Sequence, residues 1–256
     1  MWLYAGQLAH AGRCPNNVVI VQHFPDSVKQ YAEADPFPGH SFTIPTRCPD
    51  PECQTTDCLI RWGTYERWAR TGDINYRIRI QRMRCQVCRR THSLLPDFLH
   101  PYRQYVIRLL QDTVSLYLIA GQGWGRLMEQ MSGSGPVRAT VREWVSSFAY
   151  GAGELLSNLL LGQLMLLDPL AELPHTLSPQ QLNRIPDLVK RGRLERAYRF
   201  WLLAEQLYAL TKARRPRLHF AADQLFPFLL HWLQSQALPP RLFWSSTRST
   251  TPTSPC

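Results

Sequence analysis

Cys48-Pro-Asp-Pro-Glu-Cys53 and Cys85-Gln-Val-Cys88 bracket the stretch whose reading decides the fold. Between them, Leu59–Arg70 (LIRWGTYERWAR) carries Ile60, Trp62, Tyr65 and Trp68 and favours a strand. Thr71-Gly72-Asp73 supplies a turn, and Tyr76–Arg84 (YRIRIQRMR) alternates, with Tyr76, Ile78 and Ile80 on one face and Arg77, Arg79 and Gln81 on the other. Period two with a glycine-containing turn is the pattern of an antiparallel hairpin. Its second strand runs directly into Cys85.

Tetrahedral metal sites take two short-spaced ligand pairs, and a hairpin this small has too little core to hold itself without one. The expected ligands of a structural zinc are therefore Cys48, Cys53, Cys85 and Cys88, with Cys58 as the alternative to Cys53. Four thiolates close the site and leave no open position for catalysis, so its expected role is scaffolding. His92 follows the second pair closely; it supports the site from behind a ligand, touches a phosphate or, as such a histidine more often does, simply stands exposed. Cys14 and Cys256 have no partner pattern.

The chain has 256 residues, 45% of them hydrophobic and 11% aromatic, enough to bury a core and to exclude global disorder. Lys and Arg number 29 against 19 Asp and Glu, a formal charge of +10 carried mostly by arginine. Such a balance suits a polyanion, and the arginine fork matches phosphates and guanine edges. Met1-Trp2-Leu3-Tyr4 lacks the basic region and apolar core of a signal peptide. The longest apolar run, Leu155–Leu167, falls short of the roughly 18 residues of a membrane span. No membrane association is expected. A cytoplasmic location follows, where close cysteine pairs stay reduced and read as metal ligands.

The fold class expected is α+β: a small zinc-ribbon β-hairpin followed by a mainly α-helical region. Five segments are drawn. Residues 1–46 are a lead-in, with a strand at Val18–Val21 and a short helix capped by Asp26-Ser27 and running through Ala34. In this lead-in His10, His23 and His40 are isolated and read as surface or packing residues. Residues 47–92 are the ribbon. Residues 93–150 hold a helix over Tyr102–Ile119, a short helix at Trp124–Met131, a Ser132–Gly135 turn, and a helix opened by Pro136. Along that last helix Val137, Val141, Trp144, Val145 and Phe148 form one apolar stripe. Residues 151–240 are further helix, with helical stretches at Gly153–Leu167, Leu188–Ala213 and Leu218–Gln236 and a loop over Leu170–Pro186. Residues 241–256 end in a Ser/Thr/Pro tail of disordered composition.

The basic residues suggest DNA as partner. Arg77, Arg79, Arg82, Arg84, Arg89 and Arg90 share one window without an acidic residue, and Trp62, Tyr65 and Trp68 either stack on bases or pack the hairpin. On the Pro136 helix, Arg138, Thr140 and Arg142 lie opposite the apolar stripe, as a recognition helix of a helix-turn-helix requires. A plain pair of antiparallel helices is the competing reading.

Arg47-Cys48-Pro49, Arg61–Arg67 (RWGTYER), Ile80–Cys88 and Thr91–Pro96 (THSLLP) carry a resemblance. Over roughly residues 18–150 the chain resembles an uncharacterised bacterial zinc-ribbon family whose members often continue into a helix-turn-helix, similar to the DNA-binding front end of transposase-related proteins. The resemblance implies DNA binding and a mobile-element context without an established activity. The first cysteine pair departs from it, being wider than usual.

No catalytic core is legible. Asp168, Glu172, Asp187, Glu195, Glu205 and Asp223 lie in helical or loop-like sequence without the strands that would assemble a two-metal nuclease site. Phosphate-binding glycine loops, nucleophile elbows and zinc-protease helices are absent from the sequence. Three readings follow. The first is a transposon-associated DNA-binding accessory factor or regulator without enzymatic activity. The second is a partial transposase that has lost its catalytic core, and the third is a zinc-dependent protein-interaction module. A homo-oligomer or a transposition-complex partner is compatible with all three.

Overall fold

The computed structural model describes residues 17–35, 37–131, 135–170 and 179–244. The expectations for Cys14, His10, Glu172, Cys256 and the tail from Ser245 lie outside the described residues, as does most of the Ser132–Gly135 turn. The fold is α+β. The chain divides into two compact units: Met1–Leu110 with Gly133–Gly135 and Phe226–Arg241, and Gln111–Ser132, Pro136–Leu225 and Leu242–Cys256.

The first unit is built on a four-stranded sheet of order β1-β4-β3-β2. Strand β1 is Asn17–Gln22, β2 is Leu59–Arg70, β3 is Asn75–Cys85 and β4 is Thr91–Pro96. The hairpin is the expected one, β2 running antiparallel to β3 from Leu59↔Cys85 to Arg70↔Asn75. Strand β4 was not legible as a strand. Five of its six residues are buried, so it shows no alternation. It pairs antiparallel with the Cys85 end of β3 and parallel with β1.

The alternation expected along β3 holds only to Ile80. Ile78 and Ile80 are buried and Arg77 and Arg79 exposed, but beyond Ile80 the buried residues are Gln81, Met83 and Cys85, which lie on the face of Arg77 and Arg79. The exchange falls beside a bulge in β2 between Arg61 and Gly63. Gly63 has φ 111°, and its carbonyl accepts from Gln81 Nε2 at 2.9 Å. A bulge adds twist, and twist turns the other face of a strand inward.

Helix α1, Val28–Glu33, begins at the expected cap. Ser27 and Gln30 form a capping box, with Gln30 N donating to Ser27 Oγ at 3.3 Å and Ser27 N to Gln30 Oε1 at 2.8 Å. Tyr31 of α1 is buried edge-on against Phe24 (4.9 Å) and Phe98 (5.4 Å), and its hydroxyl donates to Arg79 O. Burial pushes the Tyr31 hydroxyl well above its ordinary pKa.

Helix α2, Ile107–Leu118, starts later than expected because the preceding residues are paired elsewhere. Arg70 N donates to Gln104 O and Val106 N to Arg70 O, and Tyr102 has φ 64°. Edge strand β1 is covered by helix α8, Leu225–Ser235: Gln234 accepts from Val21 N at 2.7 Å and donates to Val21 O at 3.1 Å, as a neighbouring strand would.

In the second unit, helices α3 (Trp124–Gln130) and α4 (Arg138–Tyr150) match the expected short helix and its successor. Val141, Trp144, Val145 and Phe148 are buried as a stripe, while Val137 is the exposed N-cap. Helix α4 runs into a π-helical turn, Gly151–Leu156, and then α5, Ser157–Leu167. Ser157 Oγ donates to Ala152 O (2.8 Å) and Gly153 O (3.2 Å), binding carbonyls inside the irregular turn. A Cβ on Gly153 would meet Arg193 O at 2.8 Å, so this turn admits the backbone of α7, Leu188–Arg214. Helix α6, Gln180–Asn183, lies within the stretch expected as a loop. No described helix is long and apolar enough to cross a membrane.

Gly63→Ala should destabilise the protein by about 1–3 kcal/mol, because a side chain at its φ is strained even with open space around it. Urea unfolding checks this: the midpoint should fall while the metal content of the folded protein stays unchanged.

Candidate metal centre

The two cysteine loops form for local reasons. In Cys48–Cys53, Asp50 O accepts from Cys53 N (3.0 Å) and Gln54 N (3.1 Å), while Asp50 Oδ1 accepts from Glu52 N (3.0 Å). Cys48 N donates to Thr55 O, closing the loop. At the end of β3, Cys88 N donates to Cys85 Sγ at 3.4 Å and Arg89 N to Cys85 O at 3.1 Å, and Arg89 turns the chain with φ 64°. Backbone N–H groups directed at a sulfur favour its thiolate.

These loops bring four sulfurs together. Cys48 Sγ lies 3.8 Å from Cys88 Sγ, Cys53 Sγ lies 3.8 Å from Cys85 Sγ, and all four fall within 4.8 Å of one another. A tetrahedral ion bonded to thiolates at about 2.3 Å places its sulfurs about 3.8 Å apart, so the spacing fits a metal ion. The four could hold one. Cys58 stands outside this group. It donates to Thr55 O at 3.1 Å and its sulfur lies 3.4 Å from Cys85 Sγ, which places it behind a ligand.

The thiols are not equivalent. Burial pushes Cys48 and Cys88 up, and raises Cys58 to about 11. Cys85 is also opposed by burial, but hydrogen bonds from the Cys88 and Val87 backbone and from the Cys58 and Cys88 thiols outweigh it and bring Cys85 down to about 6. Hydrogen bonding to Thr55 lowers Cys53.

Of the residues around the sulfurs, the Asp50 and Glu52 partners of Arg90 were not foreseen. Asp50 is fully buried and ion-paired with Arg90, which also reaches Glu52 at 2.7 Å. Arg90 thus ties the second cysteine loop to the first. His92 is fully buried with Nε2 3.5 Å from Cys48 Sγ, so it stands behind a ligand and is neither exposed nor placed for a phosphate contact. Burial lowers its pKa. Only proximity in sequence hinted at these roles, since Asp50 lies inside the first cysteine loop and Arg90 just past the second, 40 residues apart.

The expected DNA-contacting residues separate into groups. Arg77 and Arg79 are exposed on the two-stranded part of the hairpin; Arg77 pairs with Glu66 at 2.6 Å. Guanidinium groups lie over rings: Arg77 on Trp68 (6.0 Å), Arg79 on Phe37 (4.9 Å), Arg82 on Tyr65 (5.8 Å) and Arg84 on Trp62 (4.3 Å). Trp62 and Trp68 are 49% and 40% exposed, so these two rings are not core packing. Arg89 is exposed, whereas Arg90 is engaged by Asp50 and Glu52. In the second unit Arg138 is exposed, Thr140 half-buried, and Arg142 lies 5.4 Å over the Trp124 ring, which stacks on Tyr117.

Cys53→Ser and Cys58→Ser test the ligand set. A cobalt titration should show that Cys53→Ser loses the thiolate-to-metal absorption of a four-sulfur site. Cys58→Ser should retain it.

Residues 48–120 match a family model described as a domain of unknown function, DUF6431. The matched stretch opens at Cys48 and takes in the hairpin, β4 and α2. Among curated proteins and among solved structures, nothing matches this chain.

Proposed function

We propose that this protein is a zinc-stabilised DNA-binding protein of the transposon-associated kind, an accessory factor or regulator acting in the reducing cytoplasm. One observation carries the reading: four arginines of the ribbon, Arg77, Arg79, Arg82 and Arg84, each lie over an aromatic ring. Stacking leaves the edge donors of a guanidinium available for phosphates or bases. The net charge of +10 supports the same partner.

Zinc is the ion chosen by four thiolates at tetrahedral spacing. Such a set leaves no position for water or substrate. The metal therefore holds the ribbon in shape, and the protein is not an enzyme at this centre. The helix bearing Arg138, Thr140 and Arg142 supplies a second set of contacts as the recognition helix of a helix-turn-helix.

The exposed apolar residues Ile60, Trp62 and Trp68 favour one other reading, a protein-interaction module. Salt dependence separates the two. If four ribbon arginines neutralise phosphates, affinity for a labelled duplex should fall roughly 100-fold between 50 and 200 mM salt. Replacing Arg77, Arg79, Arg82 and Arg84 with Ala should flatten that slope. Salt-independent binding, or none, removes the DNA reading. A slope sensitive only to Arg138→Ala and Arg142→Ala moves the contacts to the helix.

A further inference from the structure

The four stacked arginines of the ribbon do not share one face. Residues opposite one another in an antiparallel pair lie on the same face, as do residues two apart along a strand. The register sets Arg77 opposite Trp68 and Arg79 opposite Glu66, on the face that turns inward at Gln81, Met83 and Cys85. Arg82 and Arg84 belong to the other face, opposite Gly63 and Ile60. Pairing with β4 adds Ser93 opposite Arg82 and Thr91 opposite Arg84. The Arg84 guanidinium over the Trp62 ring brings the bulged indole to this second face as well.

The end of this face nearest the cysteines is more than a cationic strand. Trp62 keeps 49% of its surface exposed although a guanidinium lies 4.3 Å from its ring, and Ile60 keeps 37%. Gly63 carries no side chain, and a Cβ there would meet nothing within 4 Å, so open space lies next to Trp62 and opposite Arg82. Arg82 Nε, Arg84 Nε and Ser93 Oγ are closed to solvent and have no hydrogen-bond partner. No acidic residue occurs in Ile60–Tyr65, Arg82–Arg84 or Thr91–Ser93. Such an excess of donors over acceptors is relieved by an anion.

We propose that this end of the ribbon binds unpaired nucleotides of single-stranded DNA. A base stacks on Trp62 above the gap at Gly63, and Arg82 and Arg84 hold the adjoining phosphates. The inference rests on the reading of the ribbon as a DNA-binding surface and names the form of DNA it takes. In a duplex the bases are stacked on one another, so an exposed indole reaches a base face only by extruding a nucleotide. In a single strand every base offers a face, and proteins that bind single strands pair aromatic platforms with a cationic track. Trp68 on the other face lacks the donor excess, because Glu66 stands two residues before it and pairs with Arg77 at 2.6 Å.

Anisotropy titration of the full chain tests this, with a labelled oligothymidylate and a labelled duplex of the same length. The strand should bind roughly 10-fold more tightly than the duplex. Trp62→Ala should weaken strand binding by roughly 5- to 100-fold and remove the preference, while Trp62→Phe restores most of the loss. Trp68→Ala should keep the preference. A duplex bound at least as tightly as the strand, or strand binding unchanged by Trp62→Ala, overturns the proposal; salt-dependent duplex binding then leaves the DNA reading standing. A preference lost equally in Trp68→Ala overturns the assignment to the bulge. Absence of salt-dependent binding to either DNA removes the DNA reading and this inference with it. Circular dichroism melting confirms that each variant is folded, and the preference of the unaltered chain is decided without them.

Discussion

Four sulfur atoms from two loops must meet within 4.8 Å, and the first unit is arranged around that requirement. Each loop is short enough to be shaped by its own backbone bonds, but those bonds do not bring it to the other. The ribbon does half of this. Leu59 pairs with Cys85, so the strand leaving the first loop and the strand entering the second are locked in register. The Asp50–Arg90 pair does the rest. A buried carboxylate without its cation is costly, so the pair ties formation of one loop to formation of the other. Cys48, Cys58 and Cys85 are themselves part of the buried core, which makes the sulfur cluster continuous with the apolar interior.

The change of buried face along β3 follows from the same arrangement. Near the turn, β3 pairs only with β2, and the two strands bury one face. From Gln81 onward β3 also pairs with β4, and Met83 and Cys85 must point to the side where the sulfurs and His92 lie. A straight strand cannot bury one face at one end and the opposite face at the other. The bulge at Arg61–Gly63 supplies the twist, and it leaves Trp62 as the extra residue, turned out beneath Arg84.

What could be read from the residues was what has a period or a spacing. The hairpin, the Ser27 cap, the α4 stripe and the four-cysteine set all belong to this class. Strand β4 escaped because a strand buried on both faces has no alternation. The start of α2 was misplaced because Gln104–Val106 bond to Arg70, a residue more than thirty positions away, and no local pattern records that. His23 looked isolated for the same reason. Its partner Asp97 is 74 residues distant, and only the parallel register of β1 and β4 brings the two side by side. Cys53 and Cys58 could not be separated by spacing, since either could close the loop; the direction of each sulfur decided between them.

The stacked arginines carry a consequence for binding. A free arginine loses about 2 kcal/mol of rotamer freedom when it is fixed on a ligand. A guanidinium already resting on a ring has given up part of that freedom on folding. Arg84 over Trp62 at 4.3 Å is the tightest such pair in the ribbon, and it sits where β2 bulges. The bulge therefore serves twice: it turns Met83 and Cys85 inward toward the sulfurs, and it offers the ring that holds Arg84 in place on the outside. An ion at the four sulfurs would stiffen the strand end that carries both, so metal retention and arginine placement depend on one short run of β3.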